Sequence, residues 1–230
     1  MLVGWGFMGS MVLLPQFLQE IQGYSVVGAG ILLAPRGIGL IIAMGILSRY
    51  ASFLDPRHVF TFGCIVNSLG LLAFSFAPAD APPSWLVGWL LLQGIGLGLI
   101  FVPLNAVGFS SLQADYRTEG AALITLARNL GGSIGVAFLV QGISHDEIAN
   151  TQRLIEIAHY PSDTVWPNTF LWFLGEVRRE ALFISYSNQY GFLTFLPFLM
   201  IPFIWLTQPS VFSEKLSNPD DSLPPSVATH

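Results

Sequence analysis

The sequence predicts an all-α membrane protein, built as a bundle of six transmembrane helices. Of its 230 residues, 53% are hydrophobic and only 10% are charged, whereas soluble domains carry about 25% charged residues. The apolar residues form blocks long enough to cross a hydrocarbon core about 30 Å thick, and the charges lie mostly between the blocks. These blocks are apolar almost throughout, so they do not fit the alternating pattern of barrel strands, and helices satisfy their backbone inside lipid.

Six apolar blocks give the predicted spans. At about 1.5 Å per residue, each block reaches most or all of the hydrocarbon core. Polar or proline-rich stretches, such as 77–84 and 113–119, separate the blocks because they are too hydrophilic or too broken to stay in lipid. The predicted spans are residues 2–18, 26–47, 59–76, 85–104, 121–143 and 186–206. The first five spans form segment 1–143, and the last lies within 186–208.

The connection 144–185 is predicted to be a long extracytoplasmic loop that contains amphipathic helices. Ile148 and Ile155 alternate there with charged residues at helical spacing. Trp166 and Trp172 are predicted to anchor the connection at the membrane interface. A further span is not expected in this connection, because four charged residues follow one another closely after position 175.

The charge distribution predicts the orientation of the chain. An even number of spans places both termini on one side of an inner membrane, and we expect that side to be the cytoplasm. The inner loops then hold Arg49, Arg57 and Arg117, while the two short outer loops hold no Lys or Arg. The long connection weakens this asymmetry because it also carries arginines. The tail 209–230, rich in Ser, Pro and Asp, is predicted to be a disordered cytoplasmic segment.

Composition also excludes several functions. The net charge is −5 and the nine Lys and Arg residues are dispersed, so no basic stripe is present to bind nucleic acid. Cys64 is the only cysteine, and His145, Asp146, Glu147 and His159 match no ligand spacing, so no metal site is predicted. Nucleophile elbows and phosphate-binding loops are absent from the sequence. We therefore expect neither an enzyme nor a cofactor.

Two arginines are the strongest functional candidates. Arg36 lies near the middle of the second predicted span, and Arg128 lies about one third of the way into the fifth. A charge at this depth usually faces a partner or a watery cavity. Gln16 and Gln19, one turn apart, and Asn129 are predicted to line the same substrate cavity. Two alternatives stay open: Arg128 extends to the membrane surface, or Arg36 belongs to a fixed structural pair.

Glycine spacing predicts where helices approach each other. Gly94 and Gly98 in the fourth span, and Gly131 and Gly135 in the fifth, both have the GxxxG spacing that allows close backbone contact. Acidic residues lie at helix ends or in loops, and none lies securely inside a span. A proton-driven machine needs a titratable group at membrane depth. If the protein is proton driven, the main proton carrier is expected in a part of the protein outside this chain.

Several stretches resemble the C-terminal half of the drug:proton antiporter family with 14 spans, the multidrug efflux branch of the major facilitator superfamily. They follow the order of the family and extend over nearly the whole chain. The main matches are 14–19 (LPQFLQ), 35–37 (PRG), 55–57 (DPR), 94–98 (GIGLG), 120–122 (GAA) and 128–135 (RNLGGSIG). The resemblance implies one half of a major facilitator fold that exports hydrophobic or amphiphilic compounds by alternating access, in exchange for protons.

The same resemblance implies a gating motif and a set of partners. Gly45, Arg49, Asp55 and Arg57 are similar to a degenerate copy of the cytoplasmic gating motif, with Arg49 at a usually acidic position. The implied partners are a small hydrophobic substrate, protons, membrane lipids and a missing N-terminal half, and the long outer connection suits contact with an accessory protein. The alternative is a nontransporting membrane scaffold or a truncated transporter remnant.

Overall fold

We analysed the protein in a computed structural model that describes residues 1–50, 55–110, 117–158 and 167–206. Over these residues the chain forms six α-helices and no strand. This confirms the predicted all-α architecture. The helices are α1 (Leu2–Glu20), α2 (Val26–Tyr50), α3 (Pro56–Ser75), α4 (Pro83–Ser110), α5 (Arg117–Ala158) and α6 (Pro167–Leu206).

Successive helices run up and down, and their contacts close them into a ring. The order around the ring is α1, α2, α4, α3, α6 and α5, and α5 packs against α1 again. In addition, α4 touches α5 across the ring. We call the end of the bundle at which α1 begins end A, and the opposite end, at which α1 ends, end B. Helices α2, α4 and α6 therefore begin at end B.

The core of the bundle lies between α1, α3, α4 and α6. Leu14 and Phe17 of α1 are buried against Phe74 of α3, Leu90 of α4 and Tyr190 of α6. The ring centroids of Phe17 and Tyr190 lie 5.9 Å apart, with the planes at 89°. Edge-to-face contacts of this kind fix the positions of aromatic rings in addition to burying their surface. They hold α6 against α1 and α3.

Most of the predicted membrane helices have the length and composition of a span. Five helices, α2 to α6, are long and apolar enough to cross a bilayer. Helix α1 is nearly as apolar, but Gln16, Gln19 and Glu20 lie in its last turns. Large apolar side chains such as Ile31, Ile41 and Phe195 are 69–72% exposed on the outside of the bundle. A protein with this surface is an integral membrane protein.

The structure differs from the sequence prediction in the connection 144–185. Helix α5 has 42 residues and continues to Ala158, and α6 has 40 residues and begins at Pro167. Each is therefore about 60 Å long, twice the thickness of a hydrocarbon core. The predicted amphipathic helix is the last part of α5 rather than a separate element in a loop. Trp166 and the predicted tail 209–230 lie outside the described residues.

Polar contacts explain why the two helices continue beyond end B as a pair. Arg178 Nε donates to Glu147 Oε1 at 2.8 Å. Asn150 Nδ2 donates to Ser185 Oγ at 3.3 Å. Arg178, one of the four charges that interrupt the apolar pattern, thus joins α6 to α5.

Candidate functional site

Helix α5 lies close to α1 because glycines replace side chains at the contact. A Cβ atom on Gly131 would collide with the Met1 backbone, and one on Gly135 would collide with the Trp5 ring. From the other side, a Cβ atom on Gly4 would meet the carbonyl oxygen of Arg128. The structure therefore places the two predicted packing glycines of α5 against α1, and it brings the Arg128 backbone to the first turn of α1.

Helix α2 lies equally close to α4. A Cβ atom on Gly94 would collide with the carbonyl oxygen of Arg36, and one on Gly98 would lie 2.6 Å from Ala43 Cβ. Gly39 of α2 faces the backbone of α4 at Leu91 in the same way. The predicted glycine pair of α4 thus sets the position of the Arg36 backbone. Two tightly packed helix pairs, α1 with α5 and α2 with α4, result.

The two predicted arginines meet one aromatic pair between these helix pairs. Arg36 Cζ lies 5.9 Å from the centroid of the Phe7 ring, and Arg128 Cζ lies 5.9 Å from that of Phe101. The Phe7 and Phe101 rings are 5.1 Å apart and perpendicular, at 86°. We call Arg36, Phe7, Phe101 and Arg128 the arginine–phenylalanine site. Each arginine contacts a ring of the other helix pair, so the site joins the two pairs.

Arg36 is half-buried and held by one further group. Its Nη2 donates to Ser10 Oγ at 2.8 Å, and the Ser10 hydroxyl donates to Phe7 O at 3.0 Å. The Tyr190 hydroxyl is close enough to interact electrostatically with Arg36. That hydroxyl is buried and has no hydrogen-bond partner among the residues that the structure describes. No carboxylate in the same part of the chain pairs with Arg36, so the predicted alternative of a fixed ion pair finds no partner there.

Arg128 is also half-buried, whereas its neighbour Asn129 is exposed. The Arg128 guanidinium lies over the Phe101 ring. A cation over an aromatic face recovers part of the hydration that it loses. The guanidinium thus faces the interior of the α1, α2, α4 and α5 group, and Asn129 lies beside it on the outer surface of α5.

The two predicted glutamines do not belong to the arginine–phenylalanine site. Gln19 Nε2 donates to Pro15 O of its own helix at 3.1 Å, which satisfies a carbonyl near the proline. Gln16 lines a cavity of about 540 Å³ at end B, between α1, α5 and α6. The predicted set is therefore divided between two places, with Arg36 and Arg128 near the middle of the bundle and Gln16 near end B.

Three polar residues that line the cavity at end B, Glu20, Arg179 and Tyr186, make contacts between elements. The Tyr186 hydroxyl donates to Glu20 Oε2 at 2.7 Å. Arg179 donates from Nη2 and Nε to Ile21 O, at 3.0 and 3.3 Å, and lies 3.7 Å from Asp80. A cation at the C-terminus of α1 stabilises the unpaired carbonyls there. Helix α6 thus fastens the end of α1 and the connection between α3 and α4.

The predicted gating motif lies at end A, apart from both polar sites. Arg49 is exposed in the last turn of α2, and no atom lies within 4 Å of a Cβ built on Gly45. Asp55 caps α3, because its Oδ1 accepts from the backbone N–H of Arg57 at 3.1 Å. This cap, followed by Pro56 at the first helical position, is a common start of a helix. Residues 51–54 of the motif lie outside the described ranges.

Sequence reasoning missed the residues that complete the arginine–phenylalanine site. Phe7 and Phe101 are aromatic residues within apolar blocks, where nothing in the sequence separates a ring facing a guanidinium from a ring facing lipid. Ser10 had a weak signal, since it lies one turn from Phe7 and is the one hydroxyl in the first span. Within the described chain, no group of three His, Cys, Asp or Glu residues is arranged to hold a metal ion.

A bundle of apolar helices with cations at membrane depth is typical of a membrane transporter. The chain belongs to the Major Facilitator Superfamily, whose family model matches residues 1–136. It is 32% identical over 157 residues to the Multidrug export protein EmrB of Escherichia coli K12, an alignment that covers 65% of this chain and 30% of EmrB.

Two other relatives extend this similarity. The Multidrug resistance protein B homolog of Mycobacterium tuberculosis H37Rv is 30% identical over 159 residues, which cover 66% of this chain and 29% of that protein. The Fatty acid resistance protein FarB of Neisseria gonorrhoeae is 23% identical over 222 residues, which cover 90% of this chain and 43% of FarB. The chain therefore spans less than half the length of these relatives.

Proposed function

We propose that the chain is the C-terminal half of a proton-coupled multidrug efflux transporter, which exports hydrophobic or amphiphilic compounds by alternating access. The observation that carries the proposal is the arginine–phenylalanine site, where two cations at membrane depth meet one aromatic pair. Membership in the Major Facilitator Superfamily and the names of the relatives support it. Gln16 in the cavity at end B, Gln19 one turn further along α1, and Asn129 beside Arg128 remain secondary candidates along the substrate path.

The helix packing supplies a mechanical reason for this proposal. Within each helix pair, the glycine contacts bring backbones together and leave little room for relative movement. Between the pairs, the contacts of α1 with α2 and of α4 with α5 are sparse and include the arginine–ring contacts. Rocking of α1 and α5 against α2 and α4 would therefore change the site while each pair stays rigid. Alternating access works by rigid-body movement of one repeat or bundle against another.

Proton coupling places a requirement on the rest of the transporter. The carboxylates of the described residues lie toward the ends of the bundle, for example Glu20 at end B and Asp55 at end A. A proton carrier at membrane depth must then come from a preceding half, which we propose as the partner of this bundle. The relatives, more than twice as long as their matched segments, have room for such a half.

The orientation of the bundle in the membrane is part of the same proposal. We propose that the protein lies in the inner membrane with end A in the cytoplasm, so that Arg49, Asp55 and Arg57 form a gate on that side. The extension of α5 and α6 beyond end B then projects outward. A paired, partly apolar extension with Ile148 63% exposed is suited to contact with an accessory protein.

The test of this proposal replaces Arg128 with alanine in the protein expressed from its complete open reading frame. We expect Arg128→Ala to abolish efflux of a hydrophobic dye from cells, while the amount of protein in the membrane stays unchanged. Arg153→Ala is the matched control, because Arg153 is exposed on α5 beyond end B. Unchanged efflux in the Arg128→Ala variant would contradict the assignment of the site.

A nontransporting membrane scaffold or truncated transporter remnant is the second candidate. Its polar residues would serve only packing, as Gln19 does when it donates to Pro15 O of its own helix. The two candidates differ in the DNA upstream of Met1. A continuous reading frame that encodes further apolar spans supports the transporter half. A stop codon directly upstream, together with no efflux on expression, supports the remnant.

A further inference from the structure

The arginine–phenylalanine site has an uncompensated positive charge. Arg36 has the Ser10 hydroxyl and the Phe7 ring as partners, and Arg128 has the Phe101 ring. These partners are neutral. The five ion pairs of the described residues all lie near the ends of the bundle and include neither arginine. Two guanidinium groups therefore share a half-buried position without a counter-charge from this part of the chain.

The surroundings of the two cations make an anion the fitting ligand. Arginine is charged at all physiological pH values, and its planar fork matches the two oxygens of a carboxylate. Away from bulk water, a cation that gives up hydration is stabilised far more by an opposite charge than by a ring face. A ligand with a carboxylate thus provides the negative charge that the described residues do not place beside Arg36 and Arg128.

The Phe7 and Phe101 rings indicate the chemistry of the part of the ligand that lies beyond the carboxylate. Phe7 and Phe101 present perpendicular rings between the two guanidinium groups, at 5.1 Å between centroids. Covering half-exposed aromatic surface with an apolar body is favourable, because it removes that surface from water. A compound that satisfies both features carries an anionic head and an alkyl or aryl body.

We infer that the arginine–phenylalanine site selects amphiphilic organic anions, with the carboxylate at Arg36 or Arg128 and the apolar body along the two rings. The inference deepens the proposed function, on which it rests, by naming the class of compound that is exported. It excludes amphiphilic cations as preferred ligands, because two guanidinium groups repel them.

Equilibrium binding tests the inference without transport. The protein, expressed from its complete open reading frame, is placed in discs of phosphatidylcholine, and bound radiolabelled dodecanoate is measured. We expect unlabelled dodecanoate to displace the label at least tenfold better than dodecanol, which has the same chain and no charge, because a charged hydrogen bond contributes about this much. Dodecyltrimethylammonium is expected not to compete.

Variants assign the binding to the two arginines. We expect the double change Arg36→Gln with Arg128→Gln to weaken dodecanoate binding at least tenfold and to leave dodecanol binding unchanged. The double change to lysine keeps both charges and is expected to keep the preference for the anion. Arg153→Gln is the control and should bind like the unaltered protein. Size-exclusion profiles and circular dichroism show that each variant is folded.

Three results would overturn the inference. The first is a glutamine variant that still prefers the anion. The second is competition by the quaternary ammonium as strong as that by dodecanoate, and the third is loss of dodecanoate binding when phosphatidylglycerol is present in the discs. The last result would identify a lipid headgroup as the anion. Efflux assays separate this inference from the proposed function: anion binding without any efflux contradicts only the function, and efflux restricted to cations contradicts only the inference.

Discussion

At the scale of single residues, Ser10 connects the local geometry of α1 to the position of Arg36. Its hydroxyl accepts from Arg36 Nη2 and donates to the carbonyl of Phe7, the residue whose ring lies under the same guanidinium. Ser10 itself is 2% exposed. One turn of α1 therefore presents both a polar and an aromatic contact to one cation, and the side chain of Arg36 has little freedom to leave the site.

Ser10→Ala removes the hydroxyl and leaves the ring contact in place. A hydrogen bond to a charged group contributes about 1.5–3 kcal/mol, so we expect binding of the anionic ligand to weaken by about tenfold or more. Ser133→Ala is the matched control, because the exposed Ser133 hydroxyl donates to Leu130 O of its own helix at 3.1 Å. Dodecanoate binding to both variants, with equal amounts of folded protein, measures the difference. Equal affinities would show that Ser10 does not hold Arg36.

The sequence could predict Arg36 and Arg128 as site residues because they are charged. It could not predict their ring partners, Phe7 and Phe101, because these are uncharged. An arginine within an apolar block is conspicuous because hydrocarbon does not solvate it. A phenylalanine in the same block fits lipid, core and site equally well, and the choice depends on helix rotation, which the sequence does not specify. Gln16 and Gln19 illustrate the same limit, since both are polar and adjacent in space, yet one lines a cavity and the other bonds to its own helix.

At the scale of helices, glycines determine which neighbours come close. The spacing of Gly94 and Gly98 predicted a close contact, and the structure shows that the partner is α2. The same helix contains Gly88, around which no atom lies within 4 Å of an added Cβ. Two glycines of one helix thus have opposite roles, because one is required for packing and the other only lowers helix stability.

Gly94→Ala and Gly88→Ala form a matched pair. An alanine at position 94 would push against the Arg36 carbonyl, and we expect it to destabilise the fold by about 1–3 kcal/mol, as overpacking generally does. At position 88 the same change should be neutral or stabilise by up to about 1 kcal/mol, because alanine favours a helix. Thermal unfolding in detergent, followed by circular dichroism, gives both values. A Gly94→Ala protein as stable as Gly88→Ala would contradict the close packing of α2 and α4.

Continuous pairing of α5 and α6 beyond end B is the largest difference from the sequence prediction. The sequence placed loop and amphipathic segments at 144–185, because charged residues interrupt the apolar pattern there. A hydropathy pattern identifies the part of a helix that lies in the bilayer. Where the same helix continues into water, its residues become polar and the pattern ends, although the helical backbone continues. The pairing residues Glu147 and Arg178 lie 31 positions apart, and no local pattern reveals such a contact.

A cross-link tests this pairing. In a Cys64→Ala background, Asn150→Cys with Ser185→Cys replaces two side chains that lie 3.3 Å apart. We expect rapid disulfide formation with a mild oxidant, seen as protection of both thiols from maleimide. Arg153→Cys with Ser185→Cys is the control, since Arg153 is exposed on α5. Slow oxidation of the first pair, or equal oxidation of both, would show that the extension is not paired in this register.

At the scale of the whole molecule, the up-and-down order of the six helices along the chain places all helix ends on two sides. Met1 and Leu206 both lie at end A, together with the start of α3, and the start of α4 lies at end B. The even number of helices, which the sequence predicted, is sufficient for this arrangement. The direction of the ring in the membrane depends instead on the positive charges of the connections, among which the arginines of the long connection oppose those of end A.

Two exposed side chains distinguish the possible orientations. In a Cys64→Ala background, His58→Cys reports on end A and Asp80→Cys on end B, where the original side chains are 72% and 94% exposed. If end A faces the cytoplasm, an impermeant maleimide added to right-side-out vesicles labels Cys at position 80, and labels position 58 only after permeabilisation. The reverse pattern would invert the orientation, and the gate would then face outward. Labelling of both positions from one side would contradict the up-and-down order of α3 and with it the ring itself.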